Sequence, residues 1–298
     1  MDAPNDVTLG FNAAYYKGRY SDLMHMSDSE ALQHFVTYGH REGRQSSNVA
    51  GREVLIPQIP PDHPALEIGP FGAPQISGPY ARYADYLSTD ELRKRAPDHG
   101  FEAERCPEIH YVLRDVELGA IPERFWSVFS SHCIEHQPDL IKHLHDVATI
   151  MEPGGRFFLV VPDKRYCFDH FVPESNLADV FLAHAEKRRL HSLRSILISQ
   201  SMLTHNDPVR HWNGDHGEMP IAESGQAALD AAVAQYTRSM ETGEYIDVHA
   251  WQFTPQSFHA ICSSLFALGF TTLKPVAIGA TMWGRTEFCA ILQKSPHP

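Results

Sequence analysis

Two segments constrain the fold of this chain more than any others: ALEIGPFGAP at 65–74 and WSVFSSHCIEHQPDLIKHLHDVATIMEPGGRFFLVVPD at 126–163. The first reads as a short buried strand entering a Gly/Pro turn. The second reads as strand, helix, glycine turn and strand, and the apolar run after Arg156 is what a strand covered on both faces requires. Strands alternating with helices build an open, mostly parallel sheet, and such sheets bind ligands beyond the carboxyl ends of their strands. Those ends carry Glu67, Gly69, Ser131, His132 and Asp163.

The rest of the chain extends this rhythm. Residues 11–44 place Leu32, Phe35 and Val36 at helical spacing before Gly39 and Gly43, which predicts a helical unit over 1–50. The stretch 46–64, with Pro57, Pro60, Pro61 and Pro64 and little amphipathic pattern, is the expected linker. A second strand is expected at 81–85. Ser88 and Glu91 fit a capping box, in which hydroxyl and carboxylate satisfy free N–H groups at a helix start. Further strands fall at 110–113 and 126–130. Leu140, Ile141, Leu144, Val147, Ala148 and Met151 share one helical face, with Pro153-Gly154-Gly155 expected to end that helix. Residues 164–248 break the pattern and read as a helical cap inserted over the strand ends. It resumes with Thr254 as N-cap, Pro255 at the first helical position, Gly269 as stop, and closing strands at 270–276 and 287–292.

With 25 basic against 37 acidic residues the formal charge is −12, which disfavours a nucleic-acid footprint. No window reaches the roughly 18 apolar residues of a membrane span, and the amino terminus lacks a basic stretch followed by an apolar run, so a cytoplasmic location is expected. The five cysteines have no metal-ligand spacing and read as reduced thiols.

With LEIGP, the acid at the end of the second strand, FSSHCIEH and MEPGGRFFLVVPD in this order, residues 65–163 resemble class I S-adenosylmethionine-dependent methyltransferases. The likeness is to the LEIGP-type, bacterial polysaccharide-associated branch, and YIDVHAWQFTPQSF at 245–258 resembles it too. The resemblance implies a Rossmann-like, doubly wound methyltransferase domain over 51–298, with the cap at 164–248. It implies S-adenosylmethionine as cofactor, bound by Glu67, Gly69, Pro70, Gly72, Asp85, Asp115, Ser131 and His132. Gly69 would let the backbone approach the cofactor, and the first helix start would offer N–H groups to its carboxylate. Asp85 would accept the ribose hydroxyls, Asp115 would hold the adenine, and Ser131 with His132 would line the methyl side. FNAAYYKGRYSDL and HFVTYGHREGR resemble short helical modules of bacterial polysaccharide-synthesis enzymes. That implies a saccharide acceptor and polysaccharide-synthesis proteins as partners.

Methyl transfer to a saccharide oxygen needs alignment and removal of a hydroxyl proton, for which His132, His136 and His211 are the candidate groups. Phe71 stands where the family has its second glycine, which motivates an alternative: a methyltransferase-like binding module without catalysis. The run His132-Cys-Ile-Glu135-His136 has the HxxEH form of a zinc hydrolase, a third reading. That chemistry needs a continuous helix, and Pro138 argues against one. His205, Asp207, His211, Asp215 and His216 show no ligand spacing and read as a polar acceptor loop, so no metal site is assigned.

Overall fold

The computed structural model describes residues 7–114, 116–218 and 221–295. Its helices are α1 Ala13–Arg19, α2 Asp28–His34, α3 Arg52–Leu55, α4 Thr89–Arg95, α5 Leu140–Ile150, α6 Leu177–Ala185, α7 Leu193–Ser201, α8 Pro208–Trp212, α9 Ile221–Thr242 and α10 Pro255–Ala267. Its strands are β1 Ala65–Ile68, β2 Ala81–Asp85, β3 Tyr111–Val112, β4 Phe125–Ser131, β5 Met151–Pro162, β6 Leu273–Ile278 and β7 Glu287–Lys294. They form one sheet in the order β3-β2-β1-β4-β5-β7-β6. Strands β1 to β5 are parallel, and β7 runs antiparallel to both β5 and β6. The first five follow the doubly wound order, so the order in which the chain adds strands reverses between β1 and β4, where a ligand crevice is expected.

Alternation along the strands sorts the core into two layers. Leu66, Ile68, Val128, Phe157, Leu159 and Phe288 face α5 and α10, whose Leu144, Val147, Phe258, Ile261 and Leu265 are buried against them. Ala65, Ala81, Phe129, Phe158, Val160, Cys289 and Ile291 face the other way, and there the cover is the segment around α3, through Val49, Leu55 and Ile59. The expected linker at 46–64 is therefore part of the core. Its prolines keep most of it out of regular helix, while three apolar anchors seat it on the sheet.

The connection from β1 to β2 is a second correction. The twelve residues 69–80 contain no helix, so the expected helix start beside Gly69 is absent and α3 helps cover that face instead. Both oxygens of the Glu67 carboxylate hold this connection, accepting from the N–H of Gln75 at 3.0 and 2.9 Å and from that of Ile76 at 3.0 Å. A smaller shift concerns α5, which stops at Ile150; Pro153-Gly154-Gly155 lie within the irregular opening of β5, where Gly154 takes φ +81°.

Other local readings hold. Ser88 with Glu91 and Thr254 with Ser257 form reciprocal caps at the starts of α4 and α10, and Gly269 follows α10 with φ +77°. The N-terminal helices close over Tyr16, Leu23, Ala31 and Phe35. They dock on the β6–β7 connection: Ala280 N–H donates to Leu9 O at 3.0 Å, and a His40 ring nitrogen lies 3.2 Å from Thr281 O. Within the insertion α7 packs on α9. No helix among the described residues is long and apolar enough to cross a membrane.

Candidate functional site

Strand register assembles the rim. Ile68 pairs with Ala84 on β2 and with Ser130 on β4, so the next residues, Gly69, Asp85 and Ser131, stand side by side at the carboxyl ends of three adjacent strands. Asp115 lies outside the described residues. Glu67 is fully engaged with the 69–80 connection and only 2% exposed, which makes it a clamp for the rim rather than part of its surface. Burial pushes its carboxyl up to about 7, against the pull of the Ile76 and Gln75 N–H groups.

Gly69 takes φ +71°, and a Cβ there would meet Cys133 Sγ at 2.3 Å. A protein side chain, not only a ligand, thus requires glycine at this position. A Cβ on Gly72 would lie 2.7 Å from Phe101 Cβ, so Gly72 serves packing, and Pro70 is buried in the turn that Ala73 N–H closes on Pro70 O. Phe71, at φ +42°, turns its ring onto Phe101 and His99, both with centroids at 5.3 Å, in a cluster with Leu92, Ala96 and Cys106. The strand ends are not plugged by it.

Asp85 Oδ1 accepts from Leu87 N–H at 3.0 Å. Burial raises its carboxyl to about 6; N–H groups of Leu87, Tyr86 and Phe71 oppose this and the nearby Asp247 carboxylate adds to it. Asp247 belongs to the segment 245–250, which crosses the rim. There Tyr245 packs on Tyr86 with ring centroids at 4.9 Å, and Glu135 O accepts from Ala250 and Trp251 N–H at 2.7 and 3.1 Å.

On the β4 side, Arg52 at the start of α3 donates to both oxygens of Glu287 at 2.7 and 2.6 Å and to Ser131 Oγ at 3.3 Å. His132, at φ +53° where β4 ends, sets Nε2 2.8 Å from Glu287 Oε2. Burial pulls the His132 pKa down, and the hydrogen bond to Glu287 together with the Glu135 and Glu287 charges more than reverses this. Asp163 at the end of β5 is fully buried and tied to Thr281 and Arg165, so it anchors the sheet end.

His136 and His211, the other candidate bases, fall in different groups. Ile134–His136 is a single 3-10 turn, not the continuous helix of an HxxEH hydrolase. It nonetheless gathers Glu135, His136 and His249, and His249 is a partner that no spacing in the sequence announces. His211 is buried among His170, His205 and His216. Its two ring nitrogens lie 3.0 Å from His216 Nδ1 and 3.0 Å from His205 O, and burial holds its pKa down at about 4. Beside His136 and His249 a cavity of about 120 Å³ is bounded by Phe168, Asp169, Ser195, Ser199 and Asp247.

No family model matches the chain, and no curated protein matches it. Solved structures to which the chain is similar include an S-adenosylmethionine-dependent methyltransferase from Methanosarcina mazei, 15% identical over 81% of this chain and 97% of that one, with a TM-score of 0.36. Another from Mesorhizobium loti is 12% identical over 81% and 96%, with a TM-score of 0.38. The CcbJ methyltransferase of Streptomyces caelestis is 11% identical over 86% and 95%, also with a TM-score of 0.38.

Proposed function

We propose that this chain is an S-adenosylmethionine-dependent methyltransferase that methylates a saccharide hydroxyl. The observation that carries this reading is the row formed by Gly69, Asp85 and Ser131 at the point where strand order reverses. An acid at the end of β2 is placed to accept two hydrogen bonds from a ribose diol, the work such an acid performs in dinucleotide-binding sheets. Ser131 and His132, one strand over, face the side where the sulfonium methyl would lie. Because the helix after β1 is absent and the N–H groups of Gly69, Ala73, Gln75 and Ile76 are already used within the protein, the cofactor carboxylate would rely on the Arg52 charge, which Glu287 partly balances.

The cavity beside His136 and His249 would take one ring of the acceptor: Phe168, Ile198, Leu203 and Val248 give it a mainly apolar wall for the face of a sugar, and Ser195, Ser199, Asp169 and Asp247 bring polar atoms to it. In-line displacement at sulfur leaves the protein to align donor and acceptor and to exclude water, and the 245–250 segment is positioned to do the latter. His132 would receive the hydroxyl proton.

Transfer of labelled methyl from S-adenosylmethionine to a panel of oligosaccharides and nucleotide sugars tests the proposal. Label in a saccharide product, lost with Asp85→Ala, is expected. Cofactor binding without label in any hydroxylated acceptor would favour the binding-module reading instead.

A further inference from the structure

Glu135 is completely buried, and neither of its carboxylate oxygens has a hydrogen-bond partner among the described residues. A buried carboxylate left in this way is expensive unless something fills the gap, by about 1–3 kcal/mol or more. What surrounds it is a set of imidazole nitrogens: His136 Nε2 lies 3.6 Å from Glu135 Oε1, His249 Nε2 3.9 Å and His132 Nδ1 3.8 Å. These are too long for hydrogen bonds. Ligands bound at about 2.0–2.2 Å around a tetrahedral ion stand roughly 3.3–3.6 Å apart; the His136 spacing falls at that limit, and the His249 and His132 spacings lie about 0.2–0.3 Å beyond it.

One outward nitrogen is held: His249 Nδ1 is hydrogen-bonded to Asp169 Oδ2 at 2.6 Å. A carboxylate on Nδ1 fixes the proton there and turns the Nε2 lone pair inward, the arrangement that orients metal-binding histidines. His136 Nδ1 faces the Asp247 carboxylate at 2.9 Å as an ion-pair contact without hydrogen-bond geometry. Two imidazole nitrogens and an unpaired carboxylate within 4.8 Å of one another need a positive charge among them, which a bound cation supplies to all three at once. Their supports come from distant parts of the chain: Glu135 and His136 from the turn after β4, Asp169 from the start of the insertion, Asp247 and His249 from its end. Backbone bonds from Ala250 and Trp251 to Glu135 O, and from the Trp251 indole to Gln137 O at 2.6 Å, hold the two turns together.

We propose that Glu135, His136 and His249 bind a divalent transition-metal ion of the zinc class, with His132 beside them. Three protein ligands leave a coordination position free, as catalytic rather than structural sites do. His136 and His249 also line the 120 Å³ cavity, so the free position can serve a ligand held there. An acceptor hydroxyl bound to the ion would have its pKa lowered; that role rests on the methyl-transfer reading, whereas binding of the ion does not. The His170, His211 and His216 cluster is the weaker candidate, because His211 already uses both ring nitrogens and His170 stacks on His216 with centroids at 3.7 Å.

The test is metal binding by the full chain, stripped with a chelator and titrated with Zn²⁺ and Co²⁺ without S-adenosylmethionine. Elemental analysis, calorimetry and the Co²⁺ visible spectrum are the readouts. One ion per chain with a four- or five-coordinate Co²⁺ spectrum is expected, weakened at least 100-fold in His249→Ala and in the near-isosteric Glu135→Gln, and 10–100-fold in Asp169→Asn. His216→Ala should bind as the wild type does. Circular dichroism checks that each variant is folded, and Glu135→Gln carries the test if His249→Ala is not. Less than a tenth of an equivalent in the wild type, or binding lost in His216→Ala and kept in Glu135→Gln, would overturn the proposal.

Discussion

Replacing Glu67 by glutamine should remove a pH dependence of stability that the fold builds into the first turn of the sheet. Burial lifts the Glu67 carboxyl to about 7 in the folded chain from the ordinary 4.5. Between these values the folded state keeps the proton while the unfolded state releases it, so stability falls as pH rises and the loss is complete only above the folded pKa. At about 1.4 kcal/mol per pKa unit the full loss is about 3 kcal/mol, of which about 2 kcal/mol falls between pH 5.5 and 8.0. Glutamine does not titrate. It adds a constant offset of about 1–2 kcal/mol, because only one of its side-chain atoms accepts from Gln75 and Ile76 while its amide needs a partner. Thermal melts of both proteins at the two pH values separate offset from titration. The Tm of the wild type relative to Glu67→Gln should drop by roughly 4–6 °C on going from pH 5.5 to 8.0, at roughly 2–3 °C per kcal/mol for a chain of this size. A Tm difference that is the same at both pH values would show that the carboxylate pays no burial penalty and refute the reasoning.

Leu55→Ala should lower stability by about 2–5 kcal/mol in denaturant titrations, since Leu55 is fully buried on the sheet; a linker residue would leave the midpoint unmoved. Gly69→Ala should destabilise through both its positive φ and the overlap with Cys133 Sγ. In a double-mutant cycle, adding Cys133→Ala should recover the overlap component and leave about 1 kcal/mol for the backbone; a fully additive cycle would deny the contact.

Much of the sheet was readable because buried parallel strands are short apolar runs, and Ser88, Thr254, Pro255 and Gly269 mark helix ends by local chemistry. The N-terminal cover was not readable. Val49, Leu55 and Ile59 have no shared period and sit among prolines, so their burial is fixed by the sheet they meet and not by their neighbours in sequence. The missing helix after β1 was hidden for the opposite reason: ALEIGPFGAP has the form of a strand entering a helix, and only the hold of Glu67 on Gln75 and Ile76 shows a tight return. At the site, Asp85 and Ser131 were legible as strand ends. The gathering of Glu135 and His136 with His249 was not, because the chain travels through the whole insertion before His249 returns to the turn after β4.

Calorimetric titration of the full chain with S-adenosylmethionine decides directly whether the row of Gly69, Asp85 and Ser131 is a cofactor seat. Saturable binding at one cofactor per chain, weakened at least tenfold by Asp85→Ala in a protein with an unchanged circular dichroism spectrum, is the predicted result. No heat of binding at millimolar cofactor, or equal affinity in wild type and Asp85→Ala, would contradict it.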